Sequence, residues 1–464
     1  MAICASFPAA ANFAGSCRTG KRMQADGLKQ MSQTADSVRP TRRRFRIMGL
    51  LFVTVVINYL DRSNISIAAP SMVSEFRLDP VQLGLVFSAF SWTYTPFQLP
   101  GGWLVDRVHP RILYPVAIML WSLATLSLGL ANGLVVLIAL RMAVGFFEVP
   151  TFLINNRIAT TWFGEKERAT CIAVYTAAES VGLAFLTPGL VWLKIEFGWP
   201  SVFFVTGTLG LLWSLVFFRS YRDPADYPGV NAAEIEQIAE SGGVPDLTRR
   251  SADRRAAGGG SLWRDLAIVL GRRKLWGIYF GHFVWGTVGT FFRSWFPTYL
   301  VTYRHFTFIK AGFYVSLPFL AVFLGVLFSG VISDLLVRRG FSLTFARKAP
   351  IIGGLIFSTS IVGANYVDSE PLIILFLTFA FFCNGVASIH WSLVSATAPE
   401  RLIGLTSSVF NFMGGLAGIL SPIVIGLLLR AGDFRLPLVF IAVIELLGVC
   451  SYIFVVGKLE RVRG

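Results

Sequence analysis

Apolar stretches of about twenty residues recur along the chain with short polar breaks between them, the length of one helical crossing of a bilayer. They fall near residues 46–70, 81–104, 111–131, 134–156, 168–190 and 200–219, then near 274–301, 310–332, 347–366, 371–396, 403–429 and 437–457. The pattern predicts an all-α membrane protein of twelve transmembrane helices, arranged as two pseudo-symmetric six-helix halves, 46–219 and 274–457. Residues 1–45 are rich in Ala, Ser and Arg and are expected to form a disordered head. Met23 or Met31 could serve as alternative starts, and Ala9 to Ala14 is too short for a signal-peptide core. Between the halves, 220–273 reads as a central loop of linker composition, with Gly242-Gly243, Gly258 to Gly260 and arginines at 249, 250, 254 and 255. Within it Ala232 to Ala239 could form a short amphipathic helix. Residues 458–464 are a tail.

Composition agrees with that class. The 464 residues are 54% hydrophobic and only 14% charged, with a mean hydropathy of +0.64, whereas soluble domains carry about 25% charged residues. A net charge of +15 would suit a nucleic-acid binder, but its placement argues otherwise. With the amino terminus inside, 32 of the 41 Lys and Arg fall in the head, the internal loops and the tail. Six fall outside (Arg77, Lys194, Arg304, Lys310, Arg430, Arg435), and Arg62, Arg141 and Arg293 lie in spans. This asymmetry orients both termini and the central loop toward the cytoplasm. The expected partner is the lipid bilayer, with no nucleic acid. Five cysteines, three of them in apolar spans, and four scattered histidines give no disulfide or metal spacing. No Walker loop, zinc motif or nucleophile elbow is present, so the sequence reads as no enzyme and no nucleotide-driven pump, with no cofactor.

The halves echo each other. Gly102-Trp-Leu-Val-Asp106-Arg107 after helix 2 matches Gly330-Val-Ile-Ser-Asp334 after helix 8; Leu186-Thr187-Pro188 matches Leu420-Ser421-Pro422; Glu167-Arg168 matches Glu400-Arg401. The separations are 228, 234 and 233 residues, as an internal duplication requires. Glycine permits close helix approach, and an aspartate there can cap a neighbouring helix and pair with arginine. Asp106, Arg107 and Asp334 are therefore candidate gate residues, although the same contacts would also serve topology alone. Pro188, Pro297 and Pro422 are expected to kink or interrupt spans.

Charge inside the spans carries the candidate chemistry. Asp61 and Arg62 sit in Ile57-Asn58-Tyr59-Leu60-Asp61-Arg62-Ser63-Asn64-Ile65, too deep in apolar sequence to reach either surface. A charge near the bilayer centre costs about 3 kcal/mol or more, so such groups face a protein interior or a watery cavity. They mark a functional site unless the pair only locks helix 1 to a neighbour. Arg141 and Glu148, seven residues apart, share one face of helix 4, about 10 Å apart along its axis. Burial favours the protonated form of a carboxylic acid and an adjacent guanidinium favours the ionised form. A carboxylate alternating between the two environments loads and releases a proton. His282 and Glu445 show no partner in sequence and read as interhelical hydrogen-bonding groups.

Several segments resemble a known family. Gly101 to Arg107 (GGWLVDR) resembles the loop signature of the major facilitator superfamily. Asn58 to Pro70, Phe87 to Trp103, Arg141 to Arg157 and Val409 to Gly418 resemble its anion:cation symporters; Phe341 to Gly354 and Ser392 to Phe412 are similar to bacterial D-galactonate:proton symporters. The resemblance implies a monomeric, alternating-access importer of a small carboxylate in the bacterial inner membrane. Its substrate would be D-galactonate or a related hexonate, hexuronate or aldarate, and protons would be the coupling ion. It implies Asp61 and Glu148 as proton carriers and Arg62 and Arg141 for gating and charge balance. Tyr59, Tyr94, Ser388, Trp391 and Asn411 would line the substrate cavity, with Gln98 one helical turn from Tyr94, and Glu179 and His390 also stand at substrate-binding positions. Three positions depart from the pattern: Glu179 stands for a glutamine, Arg293 for an apolar residue and His390 for a small polar one. Glu179 and Arg293 either pair across the halves or Arg293 receives a second substrate carboxylate, unless it merely reaches the outer interface. The alternative reading is a proton-driven exporter of amphipathic or organic anion compounds, with a more apolar site; a non-transporting receptor would not need Asp61 together with Glu148.

Overall fold

A computed structural model describes residues 40–245, 262–399, 402–429 and 433–461. Most of the expected disordered head, the arginine- and glycine-rich part of the central loop, the Glu400-Arg401 repeat and Arg430 lie outside the described residues. What is described is all helical. In chain order the long helices are α1 (Arg44–Phe76), α2 (Pro80–Arg107), α3 (Pro110–Leu128), α4 (Leu134–Trp162), α5 (Glu165–Phe197) and α6 (Trp199–Ser220). After the central loop come α7 (Arg273–Ser294), α8 (Phe308–Arg338), α9 (Leu343–Asn365), α10 (Glu370–Val394), α11 (Ile403–Leu428) and α12 (Arg435–Val455). Among the described residues nine of these are long and apolar enough to cross a membrane. The other three, α1, α2 and α7, are 33, 28 and 22 residues long. Two of them carry the intramembrane charges Asp61, Arg62 and Arg293, which lower their hydropathy.

Local chemistry sets the boundaries. Asp79 accepts a hydrogen bond from the Gln82 amide at 2.8 Å while Gln82 Oε1 accepts from the Asp79 amide at 3.0 Å, a reciprocal cap that starts α2 with Pro80 in its first turn. Arg77 closes α1 in the left-handed conformation, φ 53°. In α4 the helical run is broken after Glu148, where Val149 leads into Pro150; proline cannot donate to the preceding turn. Pro188 and Pro422 lie inside continuous α5 and α11, while Pro297 sits where α7 ends and a short helix passes into a π turn at Tyr299–Tyr303.

Packing is by close backbone approach. α3 lies on α6, α2 on α4 and α1 on α5 in the first group; α8 lies on α10 and α9 on α12 in the second. The two groups meet along α2 with α11 and α5 with α8, pairs that a duplication would make equivalent. A Cβ on Gly145 would collide with the carbonyl oxygen of Phe90, which brings α4 against α2; one on Gly84 would sit 2.5 Å from the Pro422 oxygen. On the orientation expected from the positive-inside pattern, the end bearing Arg107, Arg111 and Arg219 is the inner end and the end bearing Arg77 and Lys194 the outer end. The groups approach closely at the outer end, Gly84 against Pro422, Gly426 against Pro80 and Gly312 against Val191, and again farther along α2 and α11, where Gly415 meets Thr95. At the inner end Trp103 of α2 and Phe341 and Phe345 beside α8 and α9 are exposed.

Part of the central loop is not linker. Helix Ala232–Glu240 is capped by Asn231 and docks on the start of α1. Its Glu234 carboxylate, with no exposed surface, accepts from the backbone amides of Arg43 and Arg44, each at 3.2 Å, and from Thr41 Oγ1 at 2.6 Å. Arg44 bridges Glu234 at 3.3 Å and Glu167 at 2.9 Å. The Glu165 amide donates to Ser241 O at 2.8 Å and the Val244 amide to Thr160 O at 3.1 Å.

Candidate functional site

The charged groups of α1 and α4 separate into two environments. Arg62 Nε meets Glu148 Oε2 at 2.8 Å, with the carboxylate fully buried. The Arg62 guanidinium lies over the rings of Tyr59, Phe90 and Tyr94 at 5.0, 4.8 and 4.6 Å, so an aromatic bed replaces the hydration it has lost. Phe90 and Tyr94 stack at 5.1 Å. Asp61, one residue earlier, points the other way. Its Oδ2 accepts from Trp121 Nε1 of α3 at 3.1 Å; Thr206 of α6, which accepts from Asn64 at 3.2 Å, also interacts with it. Asp61 has no exposed surface. Adjacent residues on a helix are about 100° apart, so the acid and the base turn toward different hydrogen-bond partners.

Arg141 is the exception to this pairing. It is 3% exposed, its guanidinium stands 5.3 Å from the Phe90 ring centre, and it lies within electrostatic reach of Glu148 and Asp61. Yet among the described residues it forms no ion pair, and its Nε and Nη1 have no hydrogen-bond partner. Glu148 Oε1 likewise has none. A buried guanidinium that lacks a partner is costly in the empty protein and is satisfied by a bound anion.

A second charged pair joins α7 to α5. Arg293 Nη1 contacts Glu179 Oε1 at 3.4 Å, with the side chains 29% and 25% exposed. Tyr59 feels both this pair and Arg62. Of the alternatives drawn for Arg293, the described contact is therefore the pair with Glu179. On the α10–α11 side, Trp391 is 47% exposed and meets the Phe410 ring edge-on at 5.0 Å. Ser388 and Asn411 are half-buried. Thr95 of α2 abuts Gly415 of α11, so Tyr94 and Gln98 lie within one turn of Thr95, and Asn411 lies one turn from Gly415. His390 is buried. Its Nδ1 faces Ala387 O at 2.9 Å and its Nε2 faces His282 Nδ1 at 2.8 Å. The carbonyl can only accept, so His390 Nδ1 donates. The His282 ring stacks on Phe410 at 3.9 Å and touches Trp391 at 4.9 Å.

The candidate gate residues stand apart from this cluster. Asp106 and Asp334 are exposed at the inner end, and Arg107 lies over the Trp103 ring at 3.7 Å. The α2–α3 turn is tied to α4 by Arg157, which donates to the carbonyls of Val105 and of Val108, the latter at 3.2 Å. Sequence reasoning missed Arg157, Trp121, Thr206, Phe90 and the role of His282. Only the histidine carried a local signal, a polar ring in an apolar span. Among the described residues no cluster of three or more His, Cys, Asp or Glu could hold a metal ion.

The family described as Major Facilitator Superfamily matches residues 51–422. A D-galactonate transporter of Escherichia coli O6:H1 is 47% identical over 93% of this chain and 100% of its own. A probable galactarate/D-glucarate transporter of Escherichia coli strain K12 is 38% identical over 94% of this chain and 98% of its own. Among solved structures, a bacterial homolog of the human lysosomal transporter Spinster, inward-facing and unoccupied, superposes with a TM-score of 0.71 at 19% identity, covering 91% of this chain and 98% of that one.

Proposed function

Because the chain belongs to the Major Facilitator Superfamily, a family of membrane transporters and not of enzymes, we propose that it is a proton-coupled symporter importing a sugar-acid anion. The substrate is D-galactonate or a related hexonate, hexuronate or aldarate, carried by alternating access across a bacterial inner membrane. In this reading α1, α2 and α7 also span, giving twelve helices in two six-helix halves with cytoplasmic termini. The observation that carries the reading is the buried constellation of Arg62 paired to Glu148 beside an unpaired Arg141. Protonating Glu148 releases Arg62 and adds positive character next to Arg141, so proton binding favours anion binding. Tyr59, Tyr94, Gln98, Ser388 and Asn411 supply partners for sugar hydroxyls, and Trp391, held by Phe410 and the His282–His390 pair, supplies an apolar face. Names of relatives in two substrate classes, a hexonate and two hexarates, support a sugar acid. The contacts at the outer end and the exposed inner end support an inward-facing state. The test is uptake of labelled D-galactonate into vesicles under an imposed inward proton gradient. Accumulation above the passive level supports the reading; no movement of D-galactonate, galactarate or glucuronate defeats it.

The Glu179–Arg293 pair bears on which acid is taken. Removing the carboxylate frees a half-buried guanidinium at the site for a second carboxylate of the substrate. Glu179→Gln is expected to strengthen competition by galactarate against labelled D-galactonate by about fivefold, the scale of one half-exposed charge contact. Unchanged competition would remove the pair from specificity.

A further inference from the structure

The outer seam between α5 and α8 contains a cation that nothing above uses. Lys194, in the last turn of α5, is 6% exposed. Its ammonium stands 3.7 Å from the centre of the Phe308 ring and has no hydrogen-bond partner among the described residues. The walls around it are Ile67, Thr187, Val191, Val301, Ala311 and Val315, drawn from α1, α5, α8 and the end of α7. No carboxylate lies within ion-pairing distance of it among the described residues, and Glu196, two residues on in α5, is exposed. A lysine sealed among apolar groups on one aromatic face gives up most of its hydration for a contact worth about 2 kcal/mol. It lowers the stability of the very seam it occupies.

That cost is removed when the seam opens. Parting α5 from α8 lifts the ammonium off Phe308 and leaves it in a cleft with apolar walls, where low-polarity surroundings focus its field on arriving ions. We propose that Lys194 is an anion-capture site at the outer mouth, where it makes the first ion pair with the substrate carboxylate in the outward-facing state before transfer to Arg141. Closure then takes the ammonium back onto Phe308, which separates it from the anion and drives the anion inward. The assignment of the carboxylate rests on the proposed function; the state-dependent exposure of Lys194 does not.

Two measurements in oriented vesicles test this separately. Lys194→Cys, with Cys4, Cys17, Cys171, Cys383 and Cys450 replaced by serine, is expected to react with a membrane-impermeant maleimide added outside. Saturating D-galactonate outside should slow that reaction at least about threefold. A Lys194→Cys protein whose introduced thiol never reacts from outside overturns the inference whatever the substrate is. Lys194→Met, which keeps the length and removes the charge, is expected to raise KM for labelled D-galactonate about fivefold or more, lower kcat less, and flatten the fall of kcat/KM with added salt. Lys194→Arg should restore the salt dependence. Equal KM and equal salt dependence in wild type and Lys194→Met would overturn the capture role. If the wild type moves no sugar acid while the Lys194→Cys protein is labelled from outside, the substrate reading fails and the opening of the seam at Lys194 stands.

Discussion

Glu148→Gln and Asp61→Asn each abolish the response of uptake to membrane potential. On the proposed function, if Asp61 and Glu148 each carry one proton with a monoanion, one net positive charge moves inward. The potential then contributes about 2.3 kcal/mol per 100 mV, which is roughly a 40-fold accumulation. Removing either acid leaves one proton per monoanion and an electroneutral cycle. In vesicles with an imposed potassium diffusion potential, the wild type is expected to accumulate D-galactonate and each variant to show roughly 40-fold less per 100 mV. Exchange of internal for external D-galactonate, which needs no net proton movement, persists at a reduced rate. Variants that still respond to potential would show that the charge is carried elsewhere. The two acids differ in surroundings, which separates them further. Glu148→Gln also removes the partner of a buried arginine, so its exchange rate falls more than that of Asp61→Asn, whose carboxylate accepts from neutral Trp121.

Arg141→Met produces the opposite pair of effects on stability and on binding. The guanidinium is buried without an ion pair, so replacing it with an apolar chain of similar length relieves a desolvation cost in the empty protein. The melting temperature of the substrate-free variant in detergent is expected to equal or exceed that of the wild type. Its affinity for D-galactonate falls by about 2–5 kcal/mol, the usual loss when one partner of a buried charge pair is truncated, and stabilisation by the ligand disappears. Arg62→Met is the contrasting case. It strands the Glu148 carboxylate and removes the cation from three aromatic rings, so stability falls along with transport. An Arg141→Met protein that melts lower and still binds would identify Arg141 as a structural brace.

The candidate site was legible where a charge stands in an apolar run, because few sequences tolerate that cost without a use for it. Asp61, Arg62, Arg141, Glu148 and Arg293 all declared themselves in this way. Their divergence could also be read, since Asp61 and Arg62 are neighbours on a helix and must face different directions. Partners could not. Arg62 meets Glu148 across 86 residues, and Asp61 meets an indole whose N–H is one polar atom in an otherwise apolar side chain. His282 looked solitary because its partner, His390, lies 108 residues away. Glu179 and Arg293 were easier, as two departures of opposite sign in one pattern imply each other.

The fold divides in the same manner. Hydrophobic runs located every long helix but missed several ends: α1 was expected over about 46–70 and extends from Arg44 to Phe76, α5 was expected over about 168–190 and extends from Glu165 to Phe197, and α7 was expected to about 301 and ends at Ser294. Polar ends of helices stay helical beyond the apolar core because capping and backbone hydrogen bonds, not hydropathy, end them. The central loop was read by composition as a linker with at most a short helix. Composition could not reveal that Glu234 is buried, since two of the hydrogen bonds it accepts come from the backbone amides of Arg43 and Arg44, which every sequence has.

The docked helix Ala232–Glu240 also decides where the polypeptide could be divided into two co-expressed fragments. By hydropathy the first half ends near residue 219, and a cut there looks harmless. Such a cut would take Glu234 from Arg44, free the first amides of α1, and strip Asp223 from His109, which it meets at 2.9 Å. A cut beyond Val244, whose amide still binds Thr160, keeps these contacts together in the amino-terminal fragment, so that the clasp on the start of α1 travels with the helices it holds.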